Sequence, residues 1–164
     1  MHLQRPAITD RKLRFALVGC GRIAANHFES IERHAERAEL VGVCDSDAAA
    51  LAAAVKRTGA PGFPTLGALL AGTRPDCVAL TTPSGLHAHQ TIEVAAAGID
   101  VMTEKPMATR WADGQSMVRA CDEAGVRLFV VKQNRRNRTL QLLKQCMQLG
   151  RFGRIYMVNV NVFW

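Results

Sequence analysis

Short apolar runs alternate with stretches of helical periodicity along most of the chain, and no other feature restricts its fold so strongly. Leu13 to Val18 reads as a six-residue strand ending at Gly19, and the segment from Ile23 to about Arg37 follows with Ile23, His27 and Ile31 on one helix face. Glu39 to Cys44 is a second strand, ended by Asp45. Ser46 or Asp47 is placed to cap an Ala-rich helix that runs to Arg57, where Gly59 stops it. The run Ala48 to Ala54 is a strong helix former with little to grip, so it predicts a surface helix.

The turn-rich stretch 59–64 leaves room for only a very short strand before a helix from Leu66 to Ala71. Cys77 to Leu80 is the third clear strand, Leu86 to Ala97 a helix closed by Gly98, and Asp100 to Thr103 the next strand. Arg110 to Ala124 predicts a helix closed by Gly125. Arg127 to Val131 is a further strand, whose uncharged Val130 and Val131 suit a position covered on both faces. Strands and helices in alternation at this spacing form β-α-β units with right-handed crossovers. The expected class is therefore α/β, a Rossmann-type parallel sheet with helices on both faces, over residues 1–132.

Residues 133–164 break the pattern. Arg138 to Leu149 is amphipathic and helical, Gly150 and Gly153 flank a turn, and Ile155 to Trp164 reads as a ten-residue strand. Nothing in the preceding units pairs with such a strand, and an unpaired apolar edge invites aggregation. The segment reads as a linker helix and the first strand of a truncated α+β domain, in a chain that is a fragment.

Composition narrows the classes further. Of 164 residues, 48% are hydrophobic and 21% charged, which excludes disorder and fibrous repeats. No apolar run approaches the roughly 18 to 20 residues of a membrane span, and the first 14 residues lack the apolar core of a secretory signal. Cys20, Cys44, Cys77, Cys121 and Cys146 form no C-x-x-C pair, so neither a zinc ribbon nor a disulfide framework is expected. A reducing cytoplasm and no bound metal are the expectations. The net charge of +7 is local: residues 1–123 hold 13 Lys and Arg against 14 Asp and Glu, while 124–164 hold 8 basic residues and no acid. A basic end without aromatic interleaving attracts phosphates of any kind, or faces an acidic partner, and does not single out nucleic acid.

The sharpest local signal is Gly19-Cys20-Gly21-Arg22-Ile23-Ala24, a G-x-G-x-x-A between a predicted strand and a predicted helix. Gly19 allows the tight turn, Gly21 lets the backbone approach a pyrophosphate, and Ala24 permits close packing of helix on strand. The helix start that includes Arg22 and Ile23 offers N–H groups and a positive dipole end to the phosphates. Asp45, 26 residues after Gly19, is placed to accept hydrogen bonds from a ribose 2′-hydroxyl and to repel a 2′-phosphate, which favours NAD over NADP. Asp45 also competes for a helix-capping role, and Arg22 beside the pyrophosphate is able to attract a 2′-phosphate.

Two further constellations follow strands. Thr81-Thr82-Pro83-Ser84-Gly85-Leu86-His87 comes after the third clear strand, and Thr103-Glu104-Lys105-Pro106 after the next. Both fall at the carboxyl ends of parallel strands, where open α/β sheets bind ligands. Pro106 restricts Lys105 to extended backbone angles, which sets the direction of its amine. A lysine near a nicotinamide is able to bind a substrate hydroxyl or shuttle its proton; an exposed turn is the plainer reading of a bare Glu-Lys-Pro.

In this order, G-x-G-x-x-A, a strand-end Asp, T-x-P-S-x-L-H and E-K-P resemble the N-terminal half of the Gfo/Idh/MocA oxidoreductases, over nearly all of residues 12–164. Three segments look more particularly like the branch that acts on UDP-N-acetylglucosaminuronate at C3 in lipopolysaccharide O-antigen synthesis. They are Met102 to Thr109, Val131-Lys132-Gln133-Asn134-Arg135, and Arg151 to Trp164 with its Val158-Asn159-Val160-Asn161-Val162-Phe163-Trp164.

The resemblance implies a cytoplasmic NAD-dependent dehydrogenase that turns the sugar C3 hydroxyl into a ketone. It makes Lys105 the catalytic residue, in contact with both the nicotinamide ribose and the sugar. Gly19, Gly21, Arg22, Ile23, Asp45, Thr81, Thr82, Pro83, Leu86, His87, Glu104, Lys105 and Gln133 form the implied cofactor site. Lys105, Asn134, Arg135 and Arg136 bind the anionic UDP-sugar acid, although solvated helix-start arginines are the plainer reading. The family's Asp and His active-site motif belongs to a C-terminal α+β domain that this chain does not reach, so weak NAD binding, poor turnover and homo-oligomerisation only of a full-length form are expected.

His87 and His89 are two apart on a predicted helix and cannot share a metal. Cys20 reads as a small buried thiol, and Trp111 and Trp164 as packing residues. Two alternatives compete: a family member acting on another sugar or inositol, and a non-catalytic module that senses NAD or binds nucleic acid.

Overall fold

The computed structural model describes residues 6–161. The chain divides into two compact units, one ending at Val131 and the other starting at Lys132. In the first, β1 (Leu13–Val18), β2 (Ala38–Cys44), β3 (Gly62–Phe63), β4 (Cys77–Leu80), β5 (Asp100–Thr103) and β6 (Leu128–Val130) form one parallel sheet in the order β3-β2-β1-β4-β5-β6. The helices between them are α1 (Ala24–Arg33), α2 (Ala48–Thr58), α3 (Leu66–Gly72), α4 (His87–Ala96) and α5 (Trp111–Ala124).

Alternation along the strands sorts the core into two layers. Ala16 and Val18 of β1, Val78 and Leu80 of β4 and Val101 of β5 pack with Leu66 and Leu69 of α3, Val94 of α4 and Cys121 of α5. Leu17, Val43 and Ala79 face the other way, against Ala24 and Phe28 of α1 and Ala54 of α2. Leu17 and Leu80 are fully buried, and each such side chain stabilises the domain by roughly 1.5–3 kcal/mol. All four residues of β4 are buried, as a central strand covered by helices on both faces requires.

Three expectations need correction. First, β6 ends the sheet among the described residues, and its Phe129 is 43% exposed, so this strand is not covered on both faces. An apolar run is compatible with either position; only the neighbours decide. Second, α1 stops at Arg33 rather than near Arg37, because the chain turns over 34–37, with the Ala38 N–H donating to His34 O at 2.9 Å, and enters β2. Third, the strand expected over 155–164 does not form at 155–161, and 162–164 lie outside the described residues. Side-chain alternation supplies no ladder hydrogen bonds without a partner strand.

The second unit holds a 3-10 turn (Gln133–Arg136) and α6 (Arg138–Gln148). Asn137 caps α6, its side chain accepting from the Thr139 N–H at 3.0 Å. Leu140, Leu142, Leu143 and Met147 are exposed.

Candidate functional site

The strand order reverses between β1 and β4, and the loops leaving their carboxyl ends meet there. Gly19 opens the first loop with φ of 94°, and a Cβ on it would lie 2.7 Å from Thr82 N and 2.8 Å from the Thr81 carbonyl carbon. Those atoms are backbone and cannot swing aside. Glycine is required here twice over, by dihedral angle and by contact. The Gly19 N–H donates to Cys44 O at 2.8 Å, and the Thr81 N–H to Val18 O at 2.8 Å. The Thr81 hydroxyl reaches Val18 O at 3.0 Å and also Gly19 O. The loop is thus tied to β2 and to the start of the second loop.

Gly21 has the opposite environment. Nothing lies within 4 Å of where its Cβ would be, so its bareness leaves space open rather than relieving a clash. Immediately beyond, α1 begins with no side-chain cap and no acidic residue in its first turn. By contrast Asp47 caps α2, accepting from the Ala50 N–H at 2.7 Å, and Thr65 caps α3, accepting from the Ala68 N–H at 3.2 Å.

A cleft of about 530 Å³ brings together Gly19, Gly21, Asp45, Thr81, Thr82, Pro83 and Leu86 of the expected cofactor residues. Asp45 is fixed by its own chain: one carboxylate oxygen accepts from the Cys20 N–H at 2.6 Å, the other from the Asp47 N–H at 2.8 Å. The cap of α2 is Asp47, not Ser46 or Asp45. Burial pushes the Cys20 thiol up to about 12 and the Cys44 thiol up to about 11, with the Asp45 carboxylate adding to both. Both stay protonated near neutrality and are poor nucleophiles.

The cleft also has walls that the sequence did not reveal: Ser46, Pro64, Thr65, Leu66 and Gln90. Pro64 to Leu66 follow the two-residue β3, so the rule that ligands sit past strand ends would have found them once β3 was placed. The Thr82 hydroxyl donates to Gln90 Oε1 at 2.6 Å, a pairing with no local signature.

The remaining residues expected at the site do not line this cleft. Arg22 and Ile23 are exposed at the start of α1 and do not line the cleft. His87 is 1% exposed, with Nε2 2.9 Å from Thr82 O and Nδ1 3.0 Å from Pro106 O, so it ties the loop after β4 to the loop after β5. Glu104 is buried and Lys105 exposed at the carboxyl end of β5. Gln133, Asn134, Arg135 and Arg136 are exposed on the 3-10 turn of the second unit. Trp111 is 82% exposed and does not pack as expected, and Trp164 lies outside the described residues. Among the described residues no group of three or more His, Cys, Asp or Glu side chains is placed to hold a metal ion, and no helix is long and apolar enough to cross a membrane.

Open space at Gly21, an uncapped α1, a fixed carboxylate at the end of β2 and a cleft at the reversal of strand order fit a dinucleotide. They define a class, a doubly wound α/β domain built to bind one. Residues 13–132 match the model of the Gfo/Idh/MocA oxidoreductase family, NAD-binding Rossmann fold, and the chain belongs to that family.

The crystal structure of the WlbA dehydrogenase from Chromobacterium violaceum, in complex with NADH and UDP-GlcNAcA, is 68% identical with a TM-score of 0.95, covering 99% of this chain and 47% of that one. The WlbA dehydrogenase from Bordetella pertussis, with the same two ligands, is 63% identical with a TM-score of 0.88, covering 92% and 43%. Among curated proteins, D-apiose dehydrogenase from Paraburkholderia graminis is 32% identical over 93% of this chain and 41% of its own length. The chain spans less than half the length of these relatives.

Proposed function

We propose that this chain is the NAD-binding part of a dehydrogenase that oxidises the C3 hydroxyl of UDP-N-acetylglucosaminuronate, a sugar acid used in bacterial lipopolysaccharide. The observation that carries the reading is the cleft at the strand reversal, seen together with the high identity to two dehydrogenases solved with NADH and UDP-GlcNAcA. In this reading residues 1–132 bind the dinucleotide and 133–164 begin the substrate domain of a cytoplasmic homo-oligomer. Gly21 and the first amides of α1 hold the pyrophosphate, and Asp45 the adenosine ribose.

When bound, NAD would supply the acceptor for the hydride that leaves the sugar carbon. Lys105, exposed past β5, donates a hydrogen bond to the hydroxyl oxygen of that carbon and orients it while its proton leaves to a base. Arg135 and Arg136 suit the diphosphate and carboxylate of the sugar nucleotide.

The test is thermal and calorimetric. NADH at a hundredfold excess over its Kd stabilises the protein by about 2.7 kcal/mol, and NADPH does so less. With UDP-N-acetylglucosaminuronate and NAD, full-length enzyme forms NADH, and Lys105→Ala loses on the order of 10²-fold in kcat. A melting curve unmoved by NADH ends the proposal, and NADH formation with inositol but not the UDP-sugar moves it to another substrate.

A further inference from the structure

Glu104 lies at the carboxyl end of β5, its N–H donating to Leu80 O at 3.0 Å, so its backbone continues the ladder with β4. Its side chain, 11% exposed, turns inward. One carboxylate oxygen accepts from the Lys105 N–H at 3.2 Å, and the other lies 2.9 Å from Nε2 of His27. A carboxylate oxygen is an acceptor, so Nε2 carries the hydrogen of that bond. His27, 15% exposed, sits three residues after Ala24 and therefore on the face of α1 that packs toward the sheet.

The consequence is a bridge between α1 and the loop after β5. α1 starts at the glycine turn, and the loop after β5 carries Lys105. Without the His27 hydrogen, the Glu104 carboxylate is held by one amide only and is free to swing away from it. We infer that His27 is a positioning residue that fixes the backbone at Lys105 through Glu104, and that the Glu104 carboxylate holds this loop rather than touching the dinucleotide. The inference rests on the proposed role of Lys105 for its meaning, but not for its measurement.

In the 15N-labelled protein the Lys105 amide reports the bond directly. His27→Phe keeps a ring and removes the donor; His27→Gln keeps a donor at similar reach. The expected result is that His27→Phe shifts the Lys105 amide resonance and speeds its hydrogen exchange by about tenfold or more, while His27→Gln leaves both near the parent values. In full-length enzyme His27→Phe then lowers kcat on the order of 10²-fold with KM for NAD within about threefold, and His27→Gln recovers most of it. A Lys105 amide indifferent to His27→Phe overturns the inference. So does the reverse order, Phe tolerated and Gln not, which would assign His27 to packing. NADH affinity of the unsubstituted protein is measured separately. Failure there sinks the dinucleotide reading and leaves the bridge standing, whereas normal NADH binding with an indifferent amide sinks the bridge alone.

Discussion

Two helices begin beside the same cleft and treat their first turns in opposite ways. α2 closes itself, with Asp47 accepting from the Ala50 N–H, while α1 has neither a side-chain cap nor an acidic residue in its first turn. Both face the same electrostatic problem, since the amides of a helix start point outward without intrahelical partners. Where no ligand comes, the chain supplies an oxygen of its own. At α1 the chain supplies no such side-chain oxygen, and under the proposed function a phosphate takes that place beside Gly21.

Substitutions can collapse the open side, test the opposite wall, open the closed side or fill the open one. The largest effect belongs to Gly19→Ala, which forces a side chain to a φ of 94° and into the Thr81–Thr82 backbone. It costs about 3 kcal/mol or more in urea unfolding and removes NADH binding. An unchanged midpoint would mean that the contact between the two loops does not set the turn. His87→Ala, under the opposite wall, leaves a cavity and removes the ring N–H that lies between Thr82 O and Pro106 O. It is expected to cost about 2–4 kcal/mol by the same measurement.

Asp47→Ala opens the closed helix at a cost of about 1 kcal/mol, with calorimetric NADH affinity little altered. Gly21→Ala reverses that pattern. Stability changes by no more than about 0.5 kcal/mol, since nothing lies near the new methyl, while the NADH Kd rises by about tenfold or more. Should Gly21→Ala bind NADH normally, the open position is not where the pyrophosphate lies.

At the other rim of the sheet, Asp76 provides a control that leaves the cleft alone. The Arg11 guanidinium, aided by the Arg14 N–H, holds its carboxyl below the usual range against the opposing effect of burial. A depressed carboxyl contributes stability that is present above its unfolded pKa, about 3.9, and lost as pH falls through the lower folded value. Asp76→Asn is therefore less stable than the parent at neutral pH, and the gap closes as unfolding is followed below about pH 4. Its NADH affinity should match the parent throughout.

Much of the first unit was legible because its signals are local. β4 and β5 fall over Cys77–Leu80 and Asp100–Thr103 as read from the sequence, and Gly59 and Gly125 end α2 and α5 with positive φ. The glycine turn, Asp45 and the Thr81–Pro83 loop were found by their spacing to strand ends. Pro64 to Leu66 were missed because a two-residue strand leaves almost no pattern, and the cover of β6 was misjudged because an edge strand and a buried one share the same apolar run.

Periodicity, capping residues and glycines acting within about twenty positions were enough to fix a parallel α/β sheet and the turn that opens its first helix, since each depends on its immediate chain neighbours. Whether a strand is central or an edge, and whether 155–161 pairs at all, depended on partners distant along the chain. The same holds for two contacts that carry no local signature. His27 meets Glu104 across 77 residues, and His87 spans 19 to reach Pro106. A hydrogen bond needs its donor and acceptor within about 3 Å, and only the folded backbone brings such residues to that distance.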